Sequence, residues 1–123
     1  MRRVVVALED DIYTTEEGFW LAGEDHFLAH VDEQCLLVFP QAGEMHGVHS
    51  REDVAATATP SNRWRDLEIS HRQFLQLTQD AVIISYRADA TRADGEPYAA
   101  LIGSTYVRRE QGWKLAAHQH SPV

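Results

Sequence analysis

Apolar residues recur at helical spacing between residues 4 and 22. Val5, Leu8, Ile12, Phe19 and Trp20 take one side, and Glu9, Asp10, Glu16 and Glu17 the other. This pattern predicts an amphipathic first helix, weakened at Gly18 and stopped at Gly23. A second short helix, about 25 to 31, is expected to bury Phe27, Leu28 and Val31. The run Cys35-Leu36-Leu37-Val38-Phe39 is too short and too rich in β-formers for a helix, and Pro40 ends it. Val48 falls in a second short strand, after the turn Gln41-Ala42-Gly43. Ser50-Arg51-Glu52-Asp53 has the form of a capping box, opening a short helix to about Ala58 that Thr59-Pro60-Ser61-Asn62 closes.

Beyond Asn62 the period changes to two. Strands are predicted at about 64 to 77, 80 to 91, 97 to 109 and 113 to 120, with turns at Gln79-Asp80, Asp94-Gly95 and Gln111-Gly112. Helices first and an antiparallel meander later is an α+β pattern, with helices covering one face of a sheet. No repeat, low-complexity stretch or linker divides residues 1–123, which read as one domain.

Alternation gives each strand an inner face. Val82, Ile84, Tyr86, Ala88 and Ala90 are expected to look inward, as are Leu67, Ile69 and His71. For 97 to 109 the inner set is Tyr98, Ala100, Ile102, Ser104 and Tyr106, with Leu101, Thr105 and Val107 as the rival. On the last strand Trp113, Leu115, Ala117 and Gln119 read as inward, and His118 and His120 as outward. The inner surface is then aliphatic and aromatic with a few polar tips. That describes either a small-molecule pocket or a plain core whose tyrosine hydroxyls are internally bonded.

Charge narrows the partners. Eleven Lys and Arg against nineteen Asp and Glu leave the 123 residues at −8, a sign opposed to nucleic-acid or anionic-membrane binding. A hydrophobic content of 44% with 24% charged residues is that of a folded globular chain. Arg2-Arg3 precedes only a short apolar run before Glu9-Asp10-Asp11, and no segment has the length of a membrane span; a cytoplasmic protein is expected.

Candidate chemistry is sparse. Cys35 is the one cysteine, which excludes an internal disulfide and a cysteine-built zinc site, and its apolar strand makes it inert. His118 and His120, or His46 and His49, could chelate a metal only with a third ligand that the spacing does not supply, so no metal and no cofactor are expected. His71 could act as a general base or be a satisfied core histidine. The inner strand faces carry no Asp or Glu. Glu16, near Tyr13 and Trp20, is the remaining inward acid, unless it belongs to a solvated helix face.

The order of elements resembles the nuclear transport factor 2-like superfamily, in its SnoaL-like branch, over residues 5 to 122. The residues that carry the resemblance are Tyr106 to Pro122, which look like a closing hairpin with arginines, turn glycine, tryptophan and final His and Ser. Phe27 through Phe39, then Gly47 and the capped helix at Ser50, add to it. The resemblance implies a cystatin-like α+β cone whose curved, mostly antiparallel sheet wraps a cavity roofed by the first helix. It also implies a homodimer, here through the open sheet face, where Ile83, Leu101, Thr105 and Val107 lie. Members range from isomerases, cyclases and dehydratases to association domains. The pocket arginines of the association branch have no counterpart at Ala88 and Ser104. The expectation is a pocket lined by Tyr13, Trp20, Phe39, Tyr86, Ser104, Tyr106 and Gln119, with His71 and Glu16 as catalytic candidates. It suits an unidentified, uncharged or weakly polar organic ligand and cofactor-free isomerase, lyase or cyclase chemistry. The alternative is a homodimerisation module with an incidental cavity.

Overall fold

The computed structural model describes residues 2–40 and 45–123, with side chains from Ala7 onward in the first helix. The turn expected at Gln41-Ala42-Gly43 and the side chain of Val5 lie outside the described residues. Helix α1 (Arg2–Leu21) and the short α2 (Glu24–His30) lead into strands β1 (Val31–Val38) and β2 (Gly47–Ser50). Helix α3 (Arg51–Ala56) and a single 3-10 turn (Pro60–Asn62) follow. The chain then forms β3 (Asp66–Thr78), β4 (Ala81–Thr91), β5 (Pro97–Arg109) and β6 (Gly112–Pro122). Six strands make one curved sheet in the order β2-β1-β6-β5-β4-β3, antiparallel throughout except where β1 runs parallel to β6.

The capping box forms as its residues dictate: Ser50 Oγ accepts from the Asp53 N–H at 3.1 Å and starts α3. Gly112, at φ 111°, opens β6 in a conformation a side chain would oppose. The inner faces of β4 and β5 are as the alternation predicts. Val82, Ile84, Tyr86 and Ala88, with Ala100, Ile102, Ser104 and Tyr106, are all buried under the helices. Cys35 is buried on β1, and burial pushes its thiol up to about 12.

Four readings are corrected. Val31 begins β1 instead of ending α2, and Leu28 is exposed while Phe27 is buried. In β6, Thr105 pairs with Ala117 but Tyr106 pairs with Leu115, so Ala116 is an extra residue. This β-bulge reverses the alternation beyond it. His118 and His120 therefore turn inward, and Gln119 is exposed. A second bulge sits in β3, where His71 and Arg72 together face Tyr86. His71 adopts φ 53° and is exposed, and the inward set passes from Leu67 and Ile69 to Phe74. Finally, Glu16 lies on the apolar side of α1, 0% exposed, because i, i+4 spacing stacks it between Ile12 and Trp20.

Candidate functional site

A cavity of about 350 Å³ opens between the C-terminal end of α1, helices α2 and α3, and the sheet. Its walls are Phe19, Trp20, Phe27, Leu37, Phe39, Met45, Val54, Trp64 and Leu115. Its polar groups are Tyr98, His118, His120, Thr57, Asn62, Arg63 and Arg92. A largely apolar cavity with few converging polar groups is the usual form of a small-molecule site.

The two histidines are the outer part of a buried polar chain that ends on Glu16. Glu16 Oε2 accepts from the Tyr86 hydroxyl and from Ser104 Oγ (2.8 Å), and Oε1 accepts from the Tyr106 hydroxyl (2.6 Å). Trp20 Nε1 donates in turn to the Tyr86 oxygen at 2.9 Å. Ser104 Oγ also meets His118 Nδ1 at 2.7 Å. His118 Nε2 lies 2.8 Å from His120 Nε2, and His120 Nδ1 lies 2.9 Å from the Tyr98 hydroxyl.

Proton bookkeeping orients every link. A carboxylate offers no proton, so Ser104 spends its single hydrogen on Glu16 and must accept from His118 Nδ1–H. Burial lowers His118 from the usual histidine value, with Glu16 opposing it in part. Burial, then the neighbouring His118 and Arg92, push His120 down to about 2. Both rings are neutral and carry one hydrogen each. His118 Nε2 is thus an acceptor, His120 Nε2–H donates to it, and His120 Nδ1 accepts from Tyr98. Burial, followed by the Glu16 charge, holds the Tyr86 and Tyr106 phenols protonated, as donors to Glu16. From the cavity inward, the protons of Tyr98, His120, His118 and Ser104 all point toward Glu16.

Aromatic packing fixes this chain. The Trp20 ring stacks on His120 with centroids 5.2 Å apart and planes at 18°, and Phe39 meets the same imidazole edge-on at 4.8 Å. At the rim, Arg92 stands over the rings of Trp64 and Tyr98, 4.8 Å from each centroid. Arg63 Nη1 donates to the Phe19 carbonyl near the end of α1 (2.8 Å) and to that of Ala22 just beyond it (3.1 Å), while its buried Nε has no partner among the described residues.

Of the residues expected to line a pocket, Trp20 and Phe39 border this cavity. Tyr86, Ser104 and Tyr106 lie beneath it, engaged by Glu16. Tyr13 is spent at the β3 bulge, where its hydroxyl reaches the carbonyls of Gln73 (2.8 Å) and Ser85 (2.9 Å). Gln119 and His71 are on the solvent side, away from the cavity. His49 Nε2 bonds to the His46 carbonyl at 3.0 Å, and no group of three His, Cys, Asp or Glu among the described residues is placed to hold a metal. Although Ala88 and Ser104 hold no arginine, two cations do border the cavity, Arg63 and Arg92. Sequence reasoning missed Trp64, Arg63, Arg92 and the inward histidines, and placed Tyr98 on the inner face without giving it to the pocket. The 12-16-20 spacing around Glu16 was the legible signal, whereas the bulge that turns His118 inward had none.

No family model matches the sequence, and no curated protein matches it. Solved structures do. The chain superimposes on a nuclear transport factor 2-like protein from Cytophaga hutchinsonii with a TM-score of 0.72 at 16% identity, covering 100% of this chain and 98% of that one. It matches a nuclear transport factor 2-like protein of unknown function in nutrient uptake from Rhodospirillum rubrum at 0.75 and 14%, over 96% and 98% of the two chains. A third such protein, of unknown function, from Pseudomonas aeruginosa aligns at 0.68 and 19%, over 95% and 98%. Coverage this complete at identities this low fixes the backbone and leaves the chemistry to the residues above: the chain has the nuclear transport factor 2-like fold.

Proposed function

We propose that the chain binds a small, largely apolar organic molecule in the cavity and moves a proton on it using its own side chains, in an isomerase-, lyase- or cyclase-type reaction beside a carbonyl. The observation that carries this reading is the oriented chain from Tyr98 to Glu16. A proton leaving the bound molecule for the Tyr98 oxygen is matched by the Tyr98 proton passing to His120 Nδ1. His120 then gives its Nε2 proton to His118, His118 gives its Nδ1 proton to Ser104, and Ser104 gives its own to Glu16. Charge moves from the ligand to a buried acid while each link takes one proton and releases one. The reverse passage returns the proton to a neighbouring carbon. Glu16 serves as the store, and the apolar walls keep water from competing.

The test follows deuterium uptake from D2O at the carbon beside the carbonyl of 2-tetralone by proton NMR. The intact chain is expected to exchange about 100-fold faster than the Glu16→Gln and His120→Gln variants, the usual size of a general acid–base contribution. Equal exchange in all three sinks the reading.

A second reading, a homodimerising module, is supported by the outer sheet face. Leu75, Ile83, Thr105 and Ala117 are register partners in one row across four strands, with Leu75 57% exposed and Leu101 50% exposed nearby. Light scattering at micromolar concentration distinguishes a dimer from a monomer. Leu101→Lys is expected to dissociate a dimer built on this face.

A further inference from the structure

We infer that the molecule held in the cavity carries a carboxylate, seated at the rim against Arg92 and Arg63. The inference rests on the pocket reading above and goes beyond it in naming the ligand class.

Acids outnumber bases in this chain, 19 to 11, so an arginine without an acidic partner is the exception to explain. Arg72 pairs with Glu9 and Asp10, Arg87 with Asp89, Arg108 with Asp80 and Arg109 with Asp32. Arg51 and Arg65 donate to the carbonyls of Val31 and Ala93 and do not border the cavity. Arg63 and Arg92 do border it, and neither has an ion pair with a described residue. Asp94, two residues beyond Arg92, turns its Oδ1 to the Glu96 N–H at 3.0 Å instead of closing one.

Each guanidinium is held without being consumed. Arg92 lays its face on Trp64 and Tyr98, which orients the plane and leaves the N–H edge for an acceptor. Arg63 is anchored through Nη1 to the end of α1 and over the Phe27 ring at 5.0 Å, while its buried Nε–H lacks an acceptor. Buried N–H groups are ordinarily bonded, so this unpaired one, on a residue that borders the cavity, is bonding capacity the fold leaves over, while Arg92 supplies the open edge. A planar carboxylate offers two oxygens to such donors, and its single charge matches the few N–H groups left over. An acid group at the rim places the apolar body of the ligand among Trp20, Phe39 and Leu37, next to the Tyr98 hydroxyl.

Calorimetric titration with 2-naphthoate and its neutral isostere 2-naphthamide tests this. The carboxylate is expected to bind about tenfold tighter or more than the amide, as a charge-assisted contact implies. The preference is expected to vanish in Arg92→Gln and to persist in Arg108→Gln. Raising NaCl from about 20 to about 500 mM is expected to weaken naphthoate alone, an arm that holds even if Arg92→Gln misfolds. Equal affinities in the intact chain overturn the inference and leave the pocket reading standing. A preference for the acid that survives in folded Arg92→Gln, or that salt does not touch, overturns the assignment to these arginines. Failure of both compounds to bind overturns the pocket reading with it.

Discussion

Removing the hydroxyl of Tyr106 isolates the worth of one donor to a buried carboxylate. Tyr106 is 0% exposed and gives its proton to Glu16 Oε1 at 2.6 Å, with no other donor to that oxygen among the described residues. Tyr106→Phe keeps the ring and its packing, so the loss is that of a charge-assisted bond that no water replaces, about 2 kcal/mol. Tyr86→Phe removes a donor from Oε2, where Ser104 still donates, but it also strands the Trp20 indole N–H. An unpaired buried donor adds about 1–2 kcal/mol, so Tyr86→Phe is expected to be the more destabilising, at about 3–4 kcal/mol. Urea unfolding followed by far-UV circular dichroism measures both. For an m-value of about 1.5 kcal/mol/M, Tyr106→Phe lowers the midpoint by about 1.3 M with the slope unchanged. In a Glu16→Gln background the same substitution is expected to cost at least about 1 kcal/mol less, since the charge it served is gone. A Tyr106→Phe midpoint indistinguishable from that of the intact chain, or no coupling to Glu16→Gln, refutes the geometry of the carboxylate.

The histidine pair makes stability depend on pH. Burial lowers both folded values below the ordinary 6.5, so below that pH the unfolded chain takes up protons that the folded chain refuses. Stability is therefore expected to fall as pH drops from about 7 to about 4, by about 1 kcal/mol per unit for His120, with His118 adding in the same direction, and to fall less steeply in the His118→Gln/His120→Gln variant; parallel curves count against it. Gly18→Ala gains helix propensity, but its Cβ meets the His26 ring at 2.2 Å, and that ring is tied to the Thr15 carbonyl. A net loss of about 1–2 kcal/mol is expected, relieved by a second change of His26→Ala; a stabilised Gly18→Ala contradicts it. Gln119→Leu, on the solvent face, is expected to leave naphthoate affinity within about twofold, and a larger loss puts β6 in the other register.

The sheet was readable because burial in β4 and β5 alternates without interruption and glycine marks the turns that follow both strands. The candidate site was read less well because it depends on two bulges. Ala116 and Ala117 are equally small, so nothing in hydropathy says which is the added residue, and the side of every later residue in β6 hangs on it. At His71-Arg72 both residues are polar and either alternation is acceptable. Glu16 was obscured for a different reason. Hydropathy sorts a glutamate to the wet side, whereas spacing puts it under Tyr86, Ser104 and Tyr106, three hydroxyls that sequence separates from it by more than half the chain.

The parallel seam has a consequence for how the molecule is made. Leu36 on β1 lies beside Ala117, about eighty residues downstream, and no local turn brings them together, so the closure entropy must be met by contacts formed elsewhere. During synthesis β1 waits, with one side open, until nearly all of β6 has left the ribosome. The cavity waits with it, because Leu37 comes from β1 and Leu115, His118 and His120 come from β6. High contact order of this kind slows folding and leaves unpaired strand edges open to association in the meantime. A chain stalled or cut before β6 gains two bare strand edges, on β1 and β5, and lacks the wall that completes the cavity.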